Sequence, residues 1–101
     1  MLNKKFVKSK QKYQVTFELP QDIEAKAVSV VGEFNGWDPA AAPLKKVKGV
    51  WKTTLELEQG HEYQYRYLVN GQEWYNDPAA DKHVPNNIDG DNSVVVTYNN
   101  N

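Results

Sequence analysis

The chain reads as all-β, an antiparallel β-sandwich of about seven short strands, and three observations carry that reading. Apolar and polar residues alternate over stretches of strand length, turn formers separate those stretches, and no segment keeps a helical period long enough for a stable helix. The 101 residues, 40% hydrophobic and 25% charged, suit one compact domain whose core needs no staples. There are no cysteines, so neither a disulfide framework nor a thiolate metal site is available. The formal net charge is -1, and no run reaches the roughly eighteen apolar residues that a membrane span needs. A soluble, cytoplasmic protein with no membrane partner is the expectation.

The first segment, residues 1–12, carries Lys4, Lys5, Lys8, Lys10 and Lys12 around Phe6 and Val7. It lacks the apolar core of a signal peptide, and nothing downstream supplies a nucleic-acid-reading element. A flexible, solvated basic leader is expected there, dispensable to the rest of the chain. A single sandwich should then run over residues 13–98, followed by a frayed tail at 99–101.

Tyr13, Val15, Phe17 and Leu19 alternate with Gln14, Thr16 and Glu18, which predicts a strand with one face in the core. Pro20 ends it, residues 21–26 form a polar connection, and Ala27 to Val31 is the next strand. Gly32, Asn35, Gly36 and Pro39 then break the period and leave Trp37 on a loop. An indole among turn residues either folds back onto the core or is held for a ligand; spacing alone does not choose. Pro39 and Pro43 bracket Ala40-Ala41-Ala42, and three alanines do not overcome the cost of helix nucleation.

Leu44 to Val47 reads as a short strand, Lys48-Gly49 as a turn and Val50 to Leu57 as a strand. Trp51, Thr53, Leu55 and Leu57 share one face of that strand, so Trp51 belongs to the core. After Gln59-Gly60, the strand His61 to Val69 puts Tyr63, Tyr65, Tyr67 and Val69 on one face and Arg66 and Leu68 on the other. Asn70-Gly71 is a strong hairpin signal, because both central residues of a type I′ turn need positive φ. Gln72 to Tyr75 returns, with Trp74 facing Arg66 or Leu68. Residues 79–91 have no period and form a long loop, itself a hint of function. Ser93 to Tyr98 is the last strand, with Val94, Val96 and Tyr98 on one side. The core is expected to draw on Tyr13, Val15, Phe17, Val28, Val30, Trp51, Leu55, Tyr65 and Val94.

Taken together, Val31-Gly32-Glu33-Phe34-Asn35-Gly36-Trp37, Pro43-Leu44, Gly49-Val50-Trp51, Leu55, Leu57, Gly60, the run from Tyr63 to Gly71, Trp74, Asp77-Pro78 and Asn92 closely resemble carbohydrate-binding module family 48. That family includes the glycogen-binding domain of the AMP-activated protein kinase β subunit and the early-set amino-terminal domains of isoamylase and of branching and debranching enzymes. The likeness covers nearly all of residues 13–98. It implies an immunoglobulin-like sandwich that binds α-1,4-linked glucan, either glycogen or starch. The sugar-stacking tryptophans of the family correspond to Trp37 and Trp74, and its basic strand residue to Arg66. Its asparagine before the last strand matches Asn92, with Asp91 the alternative one position earlier, and its apolar loop residue corresponds to Ile88. Two departures are visible: Glu73 lengthens the stretch after the hairpin, and Asn70 stands where Asp is usual.

The chemistry of the residues agrees with such a role. A glucose ring presents an apolar C–H face and a rim of hydroxyls, so a binder needs flat aromatic platforms with donors and acceptors at their edges. Trp37 and Trp74 can be platforms, Arg66 offers a donor fork, and Asn92 both donates and accepts. Other chemistry is weakly represented. Asp89-Gly90-Asp91-Asn92 lacks the ligand alternation and closing Glu of a calcium loop, and His61 and His83 have no ligand-spaced partner, so no metal or other cofactor is expected. Glycoside hydrolysis needs two carboxylates about 5 to 9.5 Å apart across a cleft, which no strand pattern supplies. A non-catalytic glucan-binding module is therefore the expectation. The alternatives are an accessory domain packed against a glucan-processing enzyme or kinase, and a sandwich whose aromatics face another protein.

Overall fold

The alternation that begins at Tyr13 does build a strand, but not the first one. The computed structural model describes residues 2–19, 25–86 and 88–98. Their strands are β1 (Leu2–Val7), β2 (Lys12–Leu19), β3 (Val28–Gly32), β4 (Lys45–Val47), β5 (Val50–Glu58), β6 (Glu62–Val69), β7 (Glu73–Tyr75), β8 (Lys82–Pro85) and β9 (Asp91–Val96). The sole helical element among the described residues is a 3-10 turn, Glu33–Asn35. Nine strands thus stand where about seven were expected. They form an antiparallel sheet ordered β1-β2-β5-β4 and another ordered β3-β6-β9-β8, with β7 paired to β6. No helix among the described residues is long and apolar enough to cross a membrane. The ending at Pro20, the connection over residues 21–24 and the tail over residues 99–101 lie outside the described residues.

The two additional strands replace segments expected to be irregular. The basic leader is not a solvated arm: β1 pairs with β2 from Leu2↔Phe17 to Val7↔Lys12. Its lysines suit an exposed edge, where charge discourages further strand pairing. Lys4 also bonds the Asp81 carboxylate at 2.7 Å and the Val96 carbonyl at 3.0 Å, so β1 ties one sheet to the other. Within the long loop after β7, β8 pairs with β9. Its single alternating apolar residue, Val84, left little periodic signal, and Pro85 sits at the strand's end, where a missing N–H is tolerated.

The core lies between the sheets and includes Val15, Phe17, Leu19, Val28, Val30, Trp51, Leu57, Tyr65, Tyr67 and Val95, with Tyr13 and Leu55 partly buried against it. From β9 it is Val95 that enters the core. Val94 is buried on the opposite face of the strand, because the register places Tyr63 across from Val95 and Gln64 across from Val94. The hydroxyls of Tyr65 and Tyr67 both donate to Asp77 Oδ2, at 2.8 and 3.1 Å, and Asp77 is fully buried. Burial, followed by the Asp77 charge, pushes both phenols far above their ordinary range. These bonds satisfy polar groups whose isolation in the core would be costly, and they anchor the chain just after β7.

Candidate functional site

The outer face of the β6-containing sheet carries the candidate site. Period-two geometry sends Tyr63, Tyr65 and Tyr67 inward and leaves Gln64, Arg66 and Leu68 on the other side. Across the ladders, β7 presents Trp74 opposite Leu68, and β9 supplies Asn92 one position beyond the Tyr65↔Ser93 pair.

Trp37 arrives from the loop after β3, and each residue of that loop has a physical task. Gly32 runs so close to β6 that a Cβ would lie 2.5 Å from the Gln64 carbonyl oxygen. Phe34 turns inward, with its ring 5.4 Å from Phe17, 6.0 Å from Tyr63 and 6.3 Å from Tyr65. The Asn35 amide closes the turn, donating to the Val30 carbonyl and accepting from the Gly32 N–H, both at 3.1 Å. Gly36 and Trp37 then take positive φ values of 66° and 60°. A bulky residue there is uncommon and strained, and such strain clusters at ligand sites. With Phe34 holding the loop down, the indole stays 39% exposed.

The return hairpin sets the other indole. Asn70 and Gly71 have φ of 55° and 69°, and the Gln72 N–H donates to the Val69 carbonyl at 3.1 Å. Gln72 is a third loop residue instead of the first residue of the strand, because Val69 pairs with Glu73. The Asn70 side chain accepts from the Lys26 and Ala27 N–H groups at 2.7 and 3.3 Å, fastening the hairpin to the approach of β3. Trp74 is 47% exposed.

A concavity of about 290 Å³ is lined by Trp37, Arg66, Trp74, Asn86, Ile88, Asp89 and Asn92. All five residues singled out in the sequence meet there: both indoles, Arg66, Ile88 and Asn92. Ile88 stands 91% exposed on the β8–β9 loop. Arg66 and Asn92 differ from the expectation of free polar edges, being only 9% and 8% exposed. Arg66 forms a two-pronged bond to Asp89, with Nη1 to Oδ2 at 3.0 Å and Nη2 to Oδ1 at 2.6 Å, and Nη2 also reaches the Asp91 carbonyl at 3.1 Å. Asp91 therefore enters through its backbone. The Arg66 guanidinium, aided by the Asn86 amide, holds the Asp89 carboxyl at about 2.

Asn86 and Asp89 are the lining residues that the sequence reading missed. The Asn86 side chain organises the loop, accepting from the Ile88 and Asp89 N–H groups at 2.9 and 3.0 Å while donating to Asp89 Oδ1 and Asn92 Oδ1. An Asx turn written as Asn followed three residues later by Asp-Gly was the available signal. What it could not reveal was that the turn lies beside Arg66.

The β-sandwich thus presents two half-exposed indoles on one concave face, and the family comparison identifies the class of protein as a carbohydrate-binding module. The family model described as the glycogen recognition site of AMP-activated protein kinase matches residues 13–100, and the chain belongs to that family. Among relatives, the 1,4-alpha-glucan branching enzyme GlgB of Synechococcus sp. (strain CC9605) is 36% identical over 76 residues, covering 71% of this chain and 10% of that protein. The enzyme of the same name from Synechococcus sp. (strain CC9311) is 32% identical over 78 residues, covering 73% and 10%. That of Thiobacillus denitrificans (strain ATCC 25259 / T1) is 48% identical over 44 residues, covering 41% and 6%. The chain thus spans a tenth or less of the length of these relatives.

Proposed function

We propose that this module binds α-1,4-linked glucan, glycogen or starch, without catalysing a reaction on it, and that the concavity between Trp37 and Trp74 is the binding site. The observation that carries the reading is the pair of half-exposed indoles on one concave surface above a polar floor. Each ring offers a flat apolar platform to the C–H face of a glucose unit. Ile88 adds apolar area at the rim, while the nearly buried Arg66 and Asn92 form the floor beneath the indoles. The names of the branching-enzyme relatives supply the substrate class.

Glycogen retardation in a native gel, run beside thermal melting, tests the proposal. With stacking worth on the order of 1 kcal/mol per ring, Trp37→Ala and Trp74→Ala should each weaken binding roughly five- to tenfold and leave folding nearly unchanged. Trp51→Ala, in the core, should cost about 3 to 5 kcal/mol of stability. Early melting of the first two variants with glycogen affinity intact would make their rings packing residues and end the proposal.

The small share of each relative that the chain covers favours a second reading, in which the module also packs against a glucan-processing catalytic domain and presents glucan to it. Copurification of such a partner in the absence of polysaccharide is its test.

A further inference from the structure

The polar groups of the cleft differ in what they have left to offer. Asn86 uses both amide hydrogens on Asp89 and Asn92, and its carbonyl oxygen accepts from two backbone N–H groups. Asn92, almost buried, donates to Gln64 Oε1 at 3.0 Å and accepts from Asn86. Arg66 is almost buried too: Nη2 is engaged twice and Nη1 once, and the buried Nε has no partner among the described residues. The Asp89 side chain is 56% exposed. Its Oδ1 accepts from the Arg66 and Asn86 side chains, and among the side chains of the described residues Oδ2 accepts from Arg66 alone. A carboxylate has about four acceptor sites, so the side chains of the described residues leave one on Oδ2, attached to a charge that lines the cleft.

We propose that Asp89 is the hydroxyl acceptor of the cleft, taking a hydrogen bond from a glucose hydroxyl on Oδ2, and that Arg66 is a positioning residue that aims this carboxylate. The inference rests on the glucan reading above and assigns its polar specificity. A hydroxyl donating to a carboxylate forms a charge-assisted bond, stronger than one to a neutral amide. The arginine fork fixes both oxygens at once, which a lysine point charge would not do. The Arg66 guanidinium holds the carboxyl below its ordinary range, so the acceptor is ionised at neutral pH. The same fixed negative charge disfavours a glucan that carries phosphate.

Calorimetric titration of the full chain with maltoheptaose tests this. Asp89→Asn should lose roughly tenfold in affinity or more. Arg66→Lys should lose less, and the double variant should bind no worse than Asp89→Asn alone, because Arg66 acts through Asp89. Phosphorylated maltoheptaose should bind Asp89→Asn better than it binds the wild type, whereas a collapsed loop would bind both ligands worse. Asp89→Glu, which keeps the charge but moves the oxygens by a methylene, replaces Asp89→Asn if that variant does not fold, and the same loss on maltoheptaose is expected. Unchanged maltoheptaose affinity in the folded Asp89 variant overturns the assignment, as does a further loss on adding Arg66→Lys. Trp37→Ala separates the two levels: if it also binds as the wild type does, the glucan reading fails; if it alone loses affinity, only the role of Asp89 fails.

Discussion

Leu68 on β6 stands directly across the antiparallel ladder from Trp74 on β7, and this pairing puts the indole on the Arg66 side of the sheet. A two-residue turn at Asn70-Gly71 without the extra loop residue would pair Val69 with Gln72 and bring Trp74 opposite Tyr67, on the core side. Gln72 in the loop prevents that. One residue decides which face receives the ring, because side chains alternate with a period of two.

Deleting Gln72 should therefore preserve the site. The shortened chain can close a two-residue turn at Asn70-Gly71 with Val69 still opposite Glu73, the geometry that Lys48-Gly49 already adopts between Val47 and Val50. Glycogen retardation within about twofold of the wild type is expected. Complete loss in a folded variant would show that the longer loop itself sets the ladder.

Gly32→Ala should destabilise the protein. The added Cβ meets backbone at 2.5 Å and the Tyr65 Cβ at 2.7 Å, so β3 has to move away from β6. An overpacking cost of roughly 1 to 3 kcal/mol follows, read as a fall in melting temperature of about 4 to 8 °C per kcal/mol in a chain of this size. Glucan affinity should fall as well, since Gly32 accepts the Trp37 N–H on its carbonyl at 2.8 Å.

Removal of residues 1–7 should lower stability while leaving the cleft able to bind whenever the remainder is folded. It uncovers the β2 edge and breaks the Lys4 bonds to Asp81 and Val96, yet no residue of β1 lines the concavity. Urea unfolding should show a lower midpoint, and titration with maltoheptaose below that midpoint an unchanged affinity. An unaltered midpoint would return the segment to the status of a dispensable arm.

Acid should erase the contribution of the Arg66–Asp89 pair. The folded carboxyl titrates at about 2 against an ordinary value of 3.8, so on acidification the unfolded chain takes up the proton first. The stabilisation is fully present above about pH 4 and is lost as pH falls through about 2. Melting curves of the wild type and Asp89→Asn should accordingly converge between pH 5 and pH 2. A gap that stays constant over that range would show that the pair is not the source of the difference.

Local alternation was enough to determine the inward faces of β2, β5 and β6, since Val15, Phe17, Leu57, Tyr65 and Tyr67 each follow the period of the strand that buries them. The Phe34-Asn35-Gly36-Trp37 loop was legible for a related reason: glycine, asparagine and an aromatic carry their conformational demands within a few residues. Tertiary structure alone decided the rest. β1 and β8 exist because β2 and β9 offer backbone partners, which polar segments with little alternation do not announce. Arg66 finds Asp89 from 23 residues away, through a sheet register and an Asx turn that no local pattern couples. Whether the Trp37 indole turned inward or outward was settled by Phe34, whose ring takes the place against Phe17 and Tyr65 and leaves the larger aromatic to the surface.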